Sequence, residues 1–208
     1  MGRPKTYQRD AMVAEAMQLF WLHGFEATTT QMLVERLGIN RFSLYAEFGS
    51  KQGLYEASLD RYDQDVVAHH FGPLERPGAG LCEIEGLLAF FASKGRAPGS
   101  HYGCLLCNVA VERAPHDLAS HARVERYVSR ISCALQSALQ TALERGELAA
   151  NVEVATLAAG LTATFLGLFV LLRAQTDPAI LHDAAAAAIA QLRSLGATAA
   201  AEAQPPYP

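Results

Sequence analysis

The sequence predicts an all-α protein in which a small N-terminal unit of three helices is followed by a larger helical domain. Apolar residues recur three or four positions apart along most of the 208 residues, which is the spacing of amphipathic helices. No segment alternates apolar and polar residues over a useful length. No Asn-Gly or Asp-Gly pair separates two apolar runs, so the chain lacks the usual signals of β-hairpins.

The first three helices are short and their ends are marked by Thr and Gly residues. An apolar stripe in the first helix ends at Gly24; its members are Met12, Ala16, Leu19, Phe20 and His23. Residues 28–30 are all Thr and offer N-caps for a second helix that ends at Leu37. Gly38 supplies a left-handed turn, and a third helix is expected over residues 40–48.

The rest of the chain predicts longer helices separated by Gly/Pro-rich breaks. Ser50 caps a fourth helix that runs from Lys51 towards His70. A short apolar helix lies between the breaks at residues 72–80 and 95–103. Further helices are expected at residues 104–115, 117–146, 154–173 and 178–195. We therefore divide the chain into domains at residues 1–50 and 51–196, with a disordered tail at residues 197–208.

Composition excludes several classes of protein. Half of the residues are hydrophobic and 18% are charged, so the chain is too apolar for a disordered protein. Its 17 basic and 21 acidic residues give a net charge of −4, which excludes coating of nucleic acid by bulk positive charge but allows a local basic patch. Four cysteines are too few for a disulfide scaffold of this length. The first apolar stretch is broken by Glu15 and Gln18, so no signal peptide is expected.

Residues 154–172 form a run of 19 uncharged residues, close to the length that spans a membrane. Two interpretations are open: a membrane span, or a helix buried on nearly all sides inside a domain or at a subunit interface. Thr, Gly and Ala dilute the run and no Lys/Arg cluster flanks it, which favours the second interpretation.

Two short helices joined by a Gly-containing turn are typical of a helix-turn-helix. On the third helix Leu44 and Phe48 are expected to face the core, which leaves other faces to Asn40, Arg41, Ser43 and Tyr45. Asn, Arg and Ser suit hydrogen bonds to base edges or phosphates. Thr30 and Gln31 begin the preceding helix, where amides and the helix dipole attract a phosphate, and Lys51 begins the next. The alternative is an ordinary solvated polar face.

The segment TTTQMLVERLGINRFSLYAEFGSKQGLY resembles the TetR/AcrR family of bacterial transcriptional regulators. The match lies in the Thr-rich helix start, the L-G-I turn, the S-L-Y triplet and the S-K-x-x-L that follows an aromatic residue. The matching residues are Thr29, Thr30, Leu37, Gly38, Ile39, Ser43, Leu44, Tyr45, Phe48, Ser50, Lys51 and Leu54. The resemblance implies a helix-turn-helix DNA-binding domain followed by a larger helical ligand-binding and dimerisation domain.

The resemblance also implies roles for individual residues. Phosphates of a double-stranded DNA operator would be contacted by Thr30, Tyr45 and Lys51. The residues nearest the bases would be Gln31, Asn40, Arg41, Phe42 and Ser43. Phe42 departs from the small residue or Pro usual there and is expected to contact a thymine methyl or sugar. Glu47 replaces a common His, which places a phosphate contact there in question. Residues 2–5 form a basic arm, suited either to a minor groove or to a solubilising tail.

The larger domain is expected, by the same resemblance, to form a homodimer through helices within residues 154–195. Gly160, Ala163 and Gly167 would permit close approach of helices there, so we expect a cytoplasmic protein with no membrane partner. A small-molecule effector would occupy a cavity among the middle helices. Its candidate lining residues, which equally suit a plain core, are Tyr62, Phe90, Phe91, Tyr102, Tyr127 and Phe165.

Residues 103–112 resemble the G-C-L-x-x-N-x-x-x-E signature of a TetR subgroup that includes sensors of electrophiles, aldehydes or oxidants. Cys104 begins a helix, where the dipole favours a thiolate, and Cys107 lies one turn on as a resolving thiol. The signature residue Asn108 is a further sensor candidate; it and Glu112 equally suit bonding of backbone or loop groups. Buried structural cysteines are the competing interpretation. A metal site with His101 would lack a fourth ligand, so no metal is expected.

These observations favour a ligand- or electrophile-responsive DNA-binding regulator, most simply a repressor that binds a palindromic operator as a dimer. A thiol-dependent enzyme that modifies small molecules is the alternative, although no G-x-S-x-G, P-loop, G-x-G-x-x-G or H-E-x-x-H motif occurs. No cofactor and no catalytic residue are expected. A membrane-anchored helical protein is a third class.

Overall fold

A computed structural model describes residues 5–94 and 102–196 of the chain. Within those residues the regular secondary structure is helical, as predicted, apart from one isolated antiparallel bridge between Leu148 and Gly196. The basic arm expected at residues 2–5 lies outside the described residues except for Lys5, the first residue of helix α1. The tail expected at residues 197–208 lies outside them as well.

The helices follow the predicted order closely. Their bounds are α1 Lys5–Ala27, α2 Thr30–Leu37, α3 Arg41–Phe48, α4 Lys51–Tyr62, α5 Ala68–Phe71, α6 Leu81–Lys94, α7 Leu105–Glu112, α8 Leu118–Glu144, α9 Val154–Arg173 and α10 Pro178–Ser194. A π-helical turn, Asp63–Val67, joins α4 to α5, so the single helix expected between Lys51 and His70 is interrupted there.

Local side chains begin three of the first four helices. Thr29 Oγ1 accepts a hydrogen bond of 3.1 Å from the Met32 N–H at the start of α2, and Asn40 Oδ1 accepts one of 2.8 Å from the Ser43 N–H at the start of α3. Ser50 Oγ accepts one of 3.0 Å from the Gly53 N–H at the start of α4. Each cap bonds an amide that has no partner within its own helix, which is why these starts were predictable from sequence.

The described chain groups into two compact units. The first contains α1–α4, α7 and the start of α8, and the second contains α6, the rest of α8, α9 and α10. The first unit therefore holds the predicted helix-turn-helix together with the helix that carries Cys104 and Cys107. The functional boundary expected after residue 50 stays a prediction.

Aromatic rings form much of the core of each unit. In the first, Phe20 is fully buried, and the centroid of the Tyr55 ring lies 4.9 Å from that of Phe20 and 4.7 Å from that of Phe25. In the second, Phe91 and Phe169 meet edge to face at 4.7 Å. Of the six aromatic residues considered for an effector cavity, Tyr62 belongs to the first unit, and the buried Phe91, Tyr127 and Phe165 belong to the second.

Helix α9 has one buried face and one exposed face of small residues. Within the described chain it is the one helix whose length and apolarity suit a membrane span, and only 33% of its most apolar 18-residue window is buried. Leu161, Phe165 and Leu168 are buried, whereas Gly160 and Gly167 are exposed. In a single protomer α9 is therefore not buried on nearly all sides. Of the two buried settings considered, a subunit interface fits this helix better than the inside of a domain.

Candidate nucleic-acid interface and thiol site

The α2–α3 pair has the geometry of a helix-turn-helix. Gly38 adopts the left-handed conformation (φ 63°, ψ 31°) and ends α2, and two residues separate it from α3. Leu33 and Leu44 are fully buried and Phe48 nearly so. The apolar positions predicted to anchor α3 therefore do so, and they fix which residues α3 presents outward.

The outward face of α3 carries the side chains predicted to read DNA. Arg41, Phe42, Ser43 and Tyr45 are all exposed. Phe42 is 82% exposed, an unusual value for a large apolar side chain and one that leaves its ring free for a partner.

Thr30 and Tyr45 lie together, one at the first position of α2 and the other on α3. Thr30 Oγ1 and Tyr45 Oη share a hydrogen bond of 3.4 Å, and the Arg41 guanidinium carbon lies 6.0 Å from the Tyr45 ring centroid. The hydrogen bond shared with Thr30, and next the charge of Arg41, hold the pKa of the Tyr45 phenol below its usual value. The hydroxyls of Thr30 and Tyr45, both predicted to contact phosphates, are thus adjacent.

Two predicted base contacts already bond within the protein. Asn40 caps α3 through its carbonyl oxygen, and Gln31 Nε2 donates a hydrogen bond of 2.6 Å to Glu35 Oε1. Their contacts to bases stay predictions.

Glu47 pairs with a cation of α1 at the position where the family pattern has His. Arg9 Nε lies 3.4 Å from Glu47 Oε1, and the Arg9 guanidinium lies 5.2 Å from the Phe48 ring centroid. The ion pair with Arg9 gives Glu47 a structural role that the family's His would not have, because it links α1 to α3.

Lys51 is the first residue of α4 and sits over an aromatic ring. Its Nζ lies 4.3 Å from the centroid of Phe25, a residue of the last turn of α1. Cation–π attraction restricts the ammonium group to one side of the α4 N-terminus. Lys51 thus places a cation in the first turn of α4, and helix starts attract anions.

The thiol site lies where α7 meets the end of α4. Cys104 is the N-cap residue of α7 and only 2% exposed, and Cys107, one turn on, is half-buried. Burial, and next the neighbouring Cys104, raise the pKa of the Tyr62 phenol well above its usual value, and Cys107 acts in the same direction. Tyr62 therefore lies beside the Cys104 thiol, with which its phenol shares a hydrogen bond. Asn108 is half-buried, and its N–H donates to the Cys104 carbonyl at 3.0 Å.

None of the four cysteines, all of which lie in the described ranges, forms a disulfide, and Cys82 and Cys133 are exposed in the second unit. No group of three or more His, Cys, Asp or Glu side chains suited to a metal occurs in the described ranges, which exclude His101.

The sequence did not indicate which backbone groups Glu112 bonds, nor any role for Arg113. Glu112 was expected at most to satisfy backbone or loop groups. It does so on α1, where both of its oxygens accept backbone N–H groups of residues 86 and 87 positions away. No local signal in the sequence indicates such a distant contact.

Comparison with known proteins gives matches along most of the chain. A family model described as bacterial regulatory proteins, tetR family, matches residues 13–58. A second, described as tetracyclin repressor-like, C-terminal domain, matches residues 80–204. The HTH-type transcriptional repressor ComR of Escherichia coli (strain K12) is 35% identical over 186 residues, which cover 83% of this chain and 82% of that protein.

Solved structures show the same fold. A cysteine mutant of the TetR family transcriptional regulator CifR, complexed with double-strand operator DNA of 26 base pairs, has a TM-score of 0.78 at 24% identity. The match covers 91% of this chain and 98% of that one. The reduced form of Escherichia coli NemR has a TM-score of 0.76 at 19% identity, with 92% and 98% covered.

Proposed function

Because the chain belongs to the tetR family of bacterial regulatory proteins and is a DNA-binding transcriptional regulator rather than an enzyme, we propose that it acts as a repressor. It binds a palindromic operator as a homodimer in the cytoplasm and releases it when an effector binds or an electrophile reacts. The observation that carries this proposal is the α3 face, where Arg41, Phe42, Ser43 and Tyr45 stand exposed beside Thr30.

The DNA contacts divide into two groups. Thr30, Tyr45 and Lys51 bind phosphates and fix the register of α3 on the duplex. Base edges in the major groove are then nearest to Gln31, Asn40, Arg41, Phe42 and Ser43, the set near the N-terminal ends of α2 and α3. The hydrogen bonds that Asn40 and Gln31 make within the protein use only Asn40 Oδ1 and one N–H of Gln31 Nε2, so each amide keeps hydrogen-bonding groups for a base edge.

The exposed small-residue face of α9 supports dimerisation. A Cβ added at Gly160 or Gly167 would meet no atom within 4 Å, so this face is open in the protomer. A groove of about 480 Å³ runs between α9 and α10 and includes Gly160, Leu161 and Ala188 in its lining. Two copies of such a face form a two-fold interface, and a two-fold dimer matches a palindromic operator.

The salt dependence of operator binding tests the phosphate contacts. With an operator obtained by selection, Lys51→Ala removes two phosphate contacts per dimer, so the slope of log K against log salt falls by about 2. Tyr45→Phe weakens binding and keeps the ring. Lys94→Ala is the matched control, because Lys94 also lies over an aromatic ring, at 4.6 Å from Phe90, but in the second unit. A slope unchanged by Lys51→Ala contradicts the assignment.

The thiol pair supports an electrophile sensor of the G-C-L-x-x-N-x-x-x-E subgroup, with Asn108 part of the same helix. Cys107 is the more exposed of the two cysteines and is the first to meet a reagent. With a maleimide, the thiolate forms a C–S bond to an alkene carbon, and the π electron pair moves to the carbonyl oxygen. Protonation of the resulting enolate by solvent completes the step, and no oxidant is needed.

Operator release by N-ethylmaleimide tests this sensor. Because Cys82 and Cys133 are exposed, the parent protein carries Ser at both. We expect the reagent to release the operator from this parent and to lose that effect with Cys107→Ser. Cys104→Ser separates a resolving or supporting role from direct attack. Equal release from all variants contradicts the thiol proposal and leaves a non-covalent effector.

A further inference from the structure

The end of α7 is joined to the end of α1 through the carboxylate of Glu112. Its Oε2 accepts the Phe25 N–H at 3.1 Å and its Oε1 accepts the Glu26 N–H at 2.8 Å. The backbone of Gly24 is not helical (φ 80°, ψ 176°), so the amides that follow it resemble those of a new helix start. A carboxylate that accepts two such amides makes charge-assisted bonds, which are stronger than neutral ones.

Gly24 is shaped for this contact in two independent ways. Its φ lies in the region that glycine alone adopts readily. A Cβ at this position would also stand 2.6 Å from Glu112 Oε2, closer than atoms can approach. The last turn of α1 is therefore built around the carboxylate.

Arg113, the next residue, binds the same turn and the start of α4. Its Nη1 lies 3.0 Å from Glu26 Oε1, its Nη2 donates to Gln52 Oε1 at 3.3 Å, and its guanidinium carbon lies 4.3 Å from the Phe25 ring centroid. Gln52 Nε2 in turn donates to Glu56 Oε1, which fixes the orientation of the amide. The guanidinium is mostly buried, with 19% of the side chain exposed, so it is a packed element of this junction.

The ring of Phe25 thus touches two cations, Arg113 and Lys51, each 4.3 Å from its centroid. Lys51 is the phosphate contact of the proposed function. Phe25 is held at its backbone by Glu112 and at its ring by Arg113. The position of the Lys51 ammonium group accordingly depends on both residues.

We propose that Glu112 and Arg113 are positioning residues for DNA binding, which fix Phe25 and through it hold Lys51 where a phosphate is bound. The proposal rests on the DNA contact proposed above for Lys51. The same short helix carries Cys107 and is capped by Cys104, so Glu112 and Arg113 connect the thiol site to the DNA contact within one unit.

Amide hydrogen exchange tests the first step without DNA. In the full-length protein, Glu112→Gln places an amide group where the carboxylate accepted two N–H groups. We expect the exchange rates of the Phe25 and Glu26 amides, read by NMR, to rise about tenfold or more, with amides of α9 unchanged. Arg123→Gln is the matched control, because it removes an ion pair with Asp60 in the same unit that does not touch Phe25. Unchanged rates at Phe25 and Glu26 overturn the role of Glu112.

A double-mutant cycle tests the second step. Arg113→Lys keeps the charge but not the planar guanidinium fork, so it disturbs the contacts of Arg113 without leaving a buried site uncharged. We expect Arg113→Lys to weaken operator binding about threefold to tenfold in the wild-type protein and to have little effect in the Lys51→Ala protein. Equal effects in both backgrounds overturn the coupling through Lys51. If Lys51→Ala alone changes nothing, the proposed phosphate contact has failed, while the exchange experiment still decides the role of Glu112.

Discussion

Gly24→Ala should be among the most destabilising single changes in the first unit, because it strains the backbone and displaces a neighbouring carboxylate. The backbone at φ 80° and ψ 176° lies in a region that is essentially restricted to glycine, and an Ala held there costs about 1–3 kcal/mol. The new Cβ also displaces the Glu112 carboxylate, which then loses hydrogen bonds worth about 1.5–3 kcal/mol. We expect a total loss of about 2.5–6 kcal/mol in the free energy of unfolding.

Urea unfolding followed by Trp21 fluorescence measures this loss. Trp21 is the single Trp of the sequence and meets the Tyr62 ring edge to face at 4.9 Å, so it reports on the first unit. The control is Gly38→Ala, at a left-handed position (φ 63°) with no neighbour within 4 Å, where a cost of about 1–2 kcal/mol is expected. Protein concentration is held constant because dimerisation contributes to stability.

Gly24→Ala made in the Glu112→Ala protein measures how much of the lost stability is due to the Glu112 carboxylate. There Gly24→Ala should cost only the backbone part, about 1–3 kcal/mol. The reasoning is refuted if Gly24→Ala costs the same in both backgrounds to within about 0.5 kcal/mol, or no more than Gly38→Ala.

Three other changes test separate parts of the structure. Gly167→Leu adds a side chain to the open face of α9, so sedimentation should show monomers with unchanged helix content, and a persistent dimer contradicts the interface. Asn40→Ala removes the cap of α3, so urea unfolding should show a loss of about 1 kcal/mol in the free energy of unfolding. Phe42→Ala, at an exposed position, should lower that free energy by under about 0.5 kcal/mol and still weaken operator binding. Equal losses from the two variants would contradict these roles. The hydrogen bonds from Arg130 hold the pKa of Glu75 below its usual value, so the stability they give is present above the unfolded pKa and lost as pH falls through the folded one. Wild type should therefore lose more stability than Glu75→Gln between about pH 5 and about pH 3, by less than about 1 kcal/mol for this partly exposed pair; parallel curves contradict the assignment.

Sequence predicted the features of this protein that depend on neighbouring residues. The starts of α2, α3 and α4 follow from Thr29, Asn40 and Ser50, whose side chains each bond the amide three positions on. The burial of Leu44 and the exposure of Arg41 follow from helical periodicity.

Sequence did not predict the features that depend on distant or absent partners. Glu112 bonds amides of α1 86 and 87 positions away, and no periodicity encodes that contact. The break at Gly24 was predicted as the end of α1, but the helix resumes to Ala27 because Glu112 supplies the partners its amides need. The open face of α9 could not be predicted from its apolar composition, because that composition suits burial in a core, a membrane or an interface alike.

Selection of bound DNA from a random pool tests the central claim most directly, that a dimer reads a two-fold operator with α3. The enriched sequences should contain an inverted repeat whose half-sites lie about one helical turn, or a multiple of it, apart. The same selection with Phe42→Ala should change preference within each half-site and keep the spacing. Enrichment of a single unrepeated site, or no enrichment at all, would contradict the claim.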